Sequence, residues 1–239
     1  DHIEILGKTL NKIAMDKAGI IKKGSKFFTA ESRPLLKKMF REVCLKEGAS
    51  FEEVSPKAGD DSNAVLAETI LRSIGVSDVF IRQGLGYTKL PARFEIMQKK
   101  PLVIIDGAHN RSKVAHAVAL LKKQKYKKLF LILAIANNKD SEDILTQIVP
   151  FADKVFLTRF LSMDRKPAPP ARLMVELKPH LKPGATVEIL LDPTDAYDKA
   201  RVKSENEDCI LVTGSFYLAG ELRKKWYPEE VVAQRRKSF

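Results

Sequence analysis

The sequence predicts an α/β fold whose larger part is a Rossmann-like, mostly parallel sheet with helices on both faces. Three observations predict it. The 239 residues are enough for two modest domains, each with its own core. From residue 102 to 225, strand-like runs alternate with helix-like stretches five times, the signature of successive β-then-α units. The first of those strands, within Pro101-Leu102-Val103-Ile104-Ile105, runs directly into the polar loop Asp106-Gly107-Ala108-His109-Asn110. In open α/β sheets ligands bind outside the carboxyl ends of strands, beside helix N-termini, so Asp106 and His109 are the first candidates for chemistry.

The elements follow from spacing and punctuation. Leu10, Ile13, Ala14, Ala18 and Ile21 recur at helical spacing, as one helix or two short ones, with Gly24 as the expected C-cap. Lys26 to Ala30 reads as a strand, Pro34 to Glu47 as a helix ending at Gly48, and Ala49 to Val54 as a second strand. After the loop Ser55 to Asp61 come a helix from Asn63 to Ile74 and a short one from Ser77 to Gln83, ended by Gly84. The stretch Gly84 to Arg93 holds two glycines and a proline and reads as a linker. Beyond it the predicted strands are Leu102 to Ile105, Leu129 to Ala134, Lys154 to Thr158, Thr186 to Leu191 and Cys209 to Thr213. The helices that follow them are Ser112 to Lys123, Ser141 to Val149, Pro170 to Lys178, Pro193 to Ser204 and Phe216 to Lys225. No G-x-G-x-x-G follows the first strand, which argues against a nicotinamide dehydrogenase.

Composition narrows the classes. The longest apolar run, Leu129 to Ala136, falls far short of the roughly 20 residues that span a bilayer. A soluble chain with no membrane partner is expected. Cys44 and Cys209 lie too far apart in sequence for a zinc cluster or a disulfide framework, so a reducing, cytoplasmic setting is expected. The formal charge of +12 is compatible with nucleic acid, an acidic membrane or anionic small molecules. Its lysines are dispersed in pairs such as Lys37-Lys38 and Lys122-Lys123, without interleaved aromatics, so no nucleic-acid platform is expected.

Five ordered stretches carry a family resemblance. Asp1-His2-Ile3-Glu4-Ile5-Leu6-Gly7, Ile13-Ala14-Met15-Asp16-Lys17-Ala18-Gly19-Ile20-Ile21-Lys22, Pro91-Ala92-Arg93-Phe94-Glu95, Asp106-Gly107-Ala108-His109-Asn110 and Val212-Thr213-Gly214-Ser215-Phe216-Tyr217 span nearly the whole chain. Together they resemble folylpolyglutamate synthase/dihydrofolate synthase of the Mur ligase superfamily. The resemblance implies an ATP-dependent amide ligase that joins L-glutamate to tetrahydrofolate or dihydropteroate through an acyl phosphate, with ATP and Mg²⁺ as cofactors. It further implies a monomer, with residues 1–86 the end of the P-loop ATP-binding (Mur ligase central) domain, 87–92 a linker and 93–239 the C-terminal glutamate ligase domain. No G-x-x-x-x-G-K-[ST] occurs in the chain, so it is expected to be a fragment inactive alone.

Residue by residue, the resemblance implies that His2 binds magnesium and that Lys17 is carried as a carbamate, an anion able to ligate a hard cation. Only an uncharged lysine amine takes up carbon dioxide, so such a site must depress its pKa by burial or neighbours. Asn63, Arg93 and Asp106 match the family's nucleotide-contacting asparagine, arginine and aspartate, and His109 is placed near glutamate or phosphate. His116 and His180 are read as structural. The chain departs from the family in having Ala92 in place of glycine and Arg111 in place of proline, and in a short Val54 to Asn63 segment where the family carries a β-rich insert. Ala92 lacks glycine's easy access to positive φ, which puts the placement of Arg93 at stake. Two rivals accompany this reading: a cell-wall Mur-type amino-acid ligase taking a UDP-sugar peptide, and a non-catalytic binding module.

Overall fold

Thr9 opens the first described helix by accepting a hydrogen bond from the Lys12 N–H, and α1 then runs over Leu10–Ala18. This computed structural model describes residues 9–57, 60–88 and 90–235, and the chain divides into two units, Asp1–Thr88 and Lys89–Phe239. α1 stops at Gly19, earlier than the predicted Gly24, which instead takes φ +70° in the turn before the next strand. Strand β1, Lys26–Thr29, connects through helix α2, Pro34–Glu47, to the parallel strand β2, Ser50–Glu53. Pro34 suits the first helical turn and Gly48, at φ +63°, the last, so the sequence punctuates α2 at both ends. Ala14 and Ala18 of α1 pack with Leu36, Phe40 and Cys44 of α2, forming the small core of this unit.

The next helix, α3, covers Ser62–Ser73 and is capped by Asp61, whose carboxylate accepts from the N–H groups of Asn63 and Ala64. Helix α4, Asp78–Tyr87, corrects the reading of Gly84 as a terminator and of 84–93 as a linker throughout. A glycine inside a helix costs about 1 kcal/mol against alanine but leaves the hydrogen-bond ladder intact. α4 closes only where Thr88 returns both its N–H and its hydroxyl to the Gly84 carbonyl.

The second unit contains the predicted sheet plus one strand that periodicity did not show. β3, Glu95–Lys99, pairs antiparallel with β4, Leu102–Ile105. The remaining elements alternate: α5 (Arg111–Leu121), β5 (Leu129–Leu133), α6 (Glu142–Ile148), β6 (Lys154–Leu157), α7 (Pro170–Leu177), β7 (Thr186–Ile189), α8 (Pro193–Lys203), β8 (Cys209–Thr213) and α9 (Phe216–Arg223). A further helix not anticipated from the sequence, α10, covers Glu229–Arg235. The sheet order is β3-β4-β8-β5-β6-β7, parallel except at the β3 edge.

Side-chain alternation in β5 and β8 builds a core on each face of the sheet. Leu129, Leu131 and Leu133 meet α5, α6 and α7 through Val114, Leu121, Ile144, Leu145 and Leu173. Phe130, Ile132, Ile210 and Val212 meet α8 and α9 through Ala196, Ala200, Leu218 and Leu222. Strands covered on both sides need continuous apolar sequence, which is why Leu129–Leu133 and Cys209–Thr213 are buried along their whole length. Cys44 and Cys209 are both buried and free. Among the described residues no helix is long and apolar enough to cross a membrane.

Leu131 has no solvent exposure, so Leu131→Ala is expected to cost about 3–4 kcal/mol of unfolding free energy by urea titration, through lost transfer energy plus a residual cavity. Val202→Ala, on the open side of α8 at 86% exposure, is expected to stay within about 0.5 kcal/mol of the parent.

Candidate active site

The loop after β4 uses each of its residues differently. Asp106 is buried: its Oδ1 accepts from the Ala108 N–H and its Oδ2 from the Phe94 N–H, both at 2.7 Å. The carboxylate thus joins the turn before β3 to the turn before α5. Gly107 lies against the Phe216 ring, where a Cβ would fall 2.2 Å from Cδ1, so no side chain fits there without moving the ring. Ala108 is buried and its carbonyl accepts from the Gly214 N–H. Asn110 caps α5 by accepting from the Lys113 N–H at 3.0 Å. His109 directs Nδ1 at the Gly107 carbonyl, 2.7 Å away, and Nε2 at the Lys113 ammonium, 3.1 Å away.

The approach to β3 is held in an unusual backbone. Ala92 sits at φ +54° and Phe94 at φ +46°, left-handed conformations that cost non-glycine residues roughly 1–2 kcal/mol each. Ala92 therefore takes the positive φ that a glycine would take more easily. Hydrogen bonds hold both residues there. The Ala92 N–H donates to Glu95 Oε2, its carbonyl accepts from the Gly107 N–H, and the Phe94 N–H donates to Asp106. Glu95 is fixed in turn by Arg223 of α9, whose Nε and Nη2 donate to the two carboxylate oxygens at 2.7 and 2.9 Å.

Between these strained residues, the exposed Arg93 guanidinium lies 4.5 Å from the centroid of the Phe216 ring. The His109 ring packs against the same phenyl at 5.2 Å. Phe216 is placed by Gly214, whose φ of +98° and approach to the Ala134 carbonyl exclude a Cβ, and by Ser215, which caps α9. Thr213, one residue before Gly214, is buried, and its hydroxyl has no hydrogen-bond partner among the described residues.

Burial pushes the Asp106 carboxyl above the usual carboxylate range, opposed by its two backbone donors and by the charge of Arg93. Burial holds the His109 imidazole below its ordinary value, and Lys113, Lys139 and Arg93 push the same way, while the bond to Gly107 opposes them. The Lys113 ammonium is lowered by burial and then by Arg93 and Lys139.

Of the residues singled out from sequence, the structure brings Arg93, Asp106 and His109 together on one loop system. Lys17 and Asn63 belong to the other unit. Lys17 is exposed in the last turn of α1, its Nζ 3.8 Å from Asp16. Asn63 is the second residue of α3 and exposed, the cap itself being Asp61. His2 lies outside the described residues. Among the described residues no three His, Cys, Asp or Glu side chains converge on a point that could hold a metal ion.

A largely apolar cavity of about 470 Å³ is lined by Pro91, Ala92, Phe216, Arg223, Tyr227 and Val232 among others, but neither Asp106 nor His109 reaches it. Sequence reasoning missed Lys113, Glu95 and Arg223 as parts of the site. Lys113 was accessible, because it lies one helical turn after His109. The Glu95–Arg223 pair spans 128 residues and leaves no local signal.

The sequence profile of the Mur ligase, glutamate ligase domain family matches residues 92–216, from the strained alanine to the phenyl ring under Arg93. The chain belongs to this family. Among curated relatives of this Mur ligase domain, the dihydrofolate synthase/folylpolyglutamate synthase of Bacillus subtilis (strain 168) is 26% identical over 94% of the chain and 60% of its own length. A probable bifunctional folylpolyglutamate synthase/dihydropteroate synthase of Haloferax volcanii is 29% identical over 69% of the chain and 19% of its own length. The chain thus spans only part of the relatives it matches. Solved structures share the fold: E. coli FolC in complex with DHPP and ADP has a TM-score of 0.78 at 23% identity, over 99% of this chain and 60% of that one. Mycobacterium tuberculosis folylpolyglutamate synthase complexed with ADP has a TM-score of 0.81 at 22% identity, over 96% and 62%.

The His109 shift has a definite sign. A depressed folded-state pKa means that the unfolded chain takes up the proton, so this contribution to stability is fully present above about pH 6.5 and lost as pH falls through the folded value. Asp106, with its folded value raised, acts oppositely: its contribution is present below about pH 4 and lost as pH rises. His109→Gln is expected to flatten the loss of stability between about pH 7 and pH 5 relative to the parent, read from urea midpoints at each pH. An unchanged slope would contradict a neutral, half-buried imidazole.

Proposed function

We propose that this chain carries the glutamate-ligase part of an ATP-dependent ligase that joins L-glutamate to a folate, tetrahydrofolate or dihydropteroate. The observation that carries the reading is the arrangement of Arg93, Asp106 and His109 within a Mur ligase glutamate ligase domain. Support comes also from the folate-ligase names of relatives that match over nine tenths of the chain. In the proposed reaction a carboxylate of the folate substrate attacks the terminal phosphorus of ATP, giving an acyl phosphate and ADP. The glutamate amine then attacks the acyl carbon, the amide forms, and phosphate leaves. No covalent enzyme intermediate is needed, so catalysis rests on positioning and on neutralising the transferring phosphoryl group.

In this reading residues 1–86 belong to the ATP-binding domain and residues 93–239 are the glutamate ligase domain. Arg93 pairs with a nucleotide phosphate, and its seat over Phe216 keeps the guanidinium plane fixed. Asp106 accepts from ribose hydroxyls as well as holding the loop, and Asn63 reads a base edge. Magnesium generally arrives with nucleotide phosphates and takes only one or two protein ligands, so the described residues are compatible with it without a protein cage. His2 is the proposed ligand, and a carbamate on Lys17 would require the amine, exposed here beside Asp16, to be covered in the ligase. The high positive charge then serves anionic substrates in a cytoplasmic monomer, without a nucleic-acid partner.

The chain has no P-loop motif of its own and matches 60% of its B. subtilis relative, so the test joins it to the part of that relative outside the match. ADP release is expected only with ATP, Mg²⁺, a folate and L-glutamate all present. Arg93→Ala is expected to lower kcat/KM about a hundredfold or more, the scale on which charge-stabilising donors act. Turnover of a UDP-sugar peptide in place of folate would favour the cell-wall reading. No turnover from a folded chimera would favour a binding module.

A further inference from the structure

The turn that delivers Arg93 carries a residue its backbone does not favour. Leu90, Pro91, Ala92 and Arg93 form a turn closed by the Arg93 N–H, which donates to the Leu90 carbonyl at 3.2 Å. Proline suits the second position of such a turn, but the third is held here at positive φ, where glycine is the ordinary occupant. Ala92 stands there at φ +54°, a conformation that brings a Cβ close to the carbonyl oxygen that follows it. A strained residue of this kind persists only where its surroundings hold it.

Two hydrogen bonds from outside the turn reach Ala92. Its carbonyl accepts from the Gly107 N–H at 2.8 Å, and its N–H donates to Glu95 Oε2 at 2.9 Å. The first bond is backbone to backbone and comes with the loop after β4. The second depends on where a long side chain points, and that side chain has rotamer freedom to lose. Arg223 of α9 supplies the constraint. Its Nε donates to the same Oε2 at 2.7 Å and its Nη2 to Oε1 at 2.9 Å, a forked grip that fixes the plane of the carboxylate as well as its position. The guanidinium lies 4.2 Å from the centroid of the Tyr227 ring, and the Arg223 and Glu95 side chains are only 9% and 16% exposed, so water competes little for either.

We propose that Arg223 is a positioning residue for Arg93: it holds Glu95, Glu95 holds the Ala92 N–H, and Ala92 is thereby kept in the left-handed conformation that seats the Arg93 guanidinium over Phe216. The catalytic use of Arg93 rests on the ligase reading above, whereas the hold on Ala92 does not. A helix residue 128 positions beyond Glu95 thus sets the geometry of the turn that opens the sheet. One consequence is specific to alanine. Glycine takes positive φ without this strain, so a chain with glycine at position 92 depends much less on Arg223.

The test is a double-mutant cycle with Arg223→Gln, Ala92→Gly and the two combined, each compared where urea titration shows it folded. On the whole 239-residue chain, NMR reads the ring-current shift of the Arg93 side-chain protons over Phe216 and the exchange of the Ala92 N–H. Arg223→Gln is expected to abolish most of the Arg93 shift and to speed exchange of the Ala92 N–H about tenfold or more. The combined variant is expected to keep the Arg93 shift of Ala92→Gly. In the chimera, Arg223→Gln is expected to lower kcat/KM for ATP about tenfold or more, and about threefold or less when position 92 is glycine. Arg223→Lys, which keeps the charge but not the fork, replaces Arg223→Gln in the same cycle if the latter does not fold.

A parent-like Arg93 shift in Arg223→Gln would overturn the proposal. Equal loss of the shift with alanine and with glycine at position 92 would also overturn it, because Arg223 would then act on the fold at large. The NMR readings need no turnover, so a chimera that releases no ADP counts against the ligase reading while the Arg93 shift still decides the proposal.

Discussion

The site depends on one carboxylate, Asp106, that bonds the backbone N–H groups of Phe94 and Ala108, the first of them twelve residues away along the chain. This pair of bonds fixes the turn before β3 to the turn before α5, and those two turns deliver Arg93 and His109. A buried carboxyl is expensive, and here burial raises its pKa despite the two N–H donors. The cost is tolerated because the alternative leaves two backbone donors without partners beside a left-handed phenylalanine.

Around this clamp, strain and close approach are distributed so that one aromatic ring becomes the floor of the site. Ala92 and Phe94 hold positive φ angles, and the Glu95–Arg223 ion pair ties the same turn to α9. Gly107 and Gly214 are required for a different reason, since each lies where a Cβ would collide with a neighbour. The result is a line of contacts from Arg93 through Phe216 and His109 to Lys113. Cationic groups stand at both ends of that line, with the half-buried imidazole between them.

Much of this was legible in the sequence, for physical reasons. Strands β4, β5 and β8 are buried on both faces, so their sequences are continuously apolar and their limits clear. The ends of α2 are marked by Pro34 and Gly48. Asp106 and His109 stood out because polar residues close an apolar strand. What was hidden depended on distant partners. β3 is an edge strand whose exposure pattern mixes inward and outward positions, so its pairing with β4 gives it shape where its own periodicity does not. The glycines within α4 read locally as a stop, yet the helix continues through them to Thr88. The Glu95–Arg223 pair becomes visible only when β3 and α9 are seen side by side.

Amide hydrogen exchange tests the Asp106 clamp most directly. The N–H groups of Phe94 and Ala108 lie in turns, outside any helix or strand ladder, and loop amides without partners exchange through low-energy local opening. Both are expected to exchange as slowly as the amides of β4, and Asp106→Ala is expected to speed both together. Rapid exchange of these two amides in the parent chain, with β4 still protected, would contradict the claim that this carboxylate holds the site.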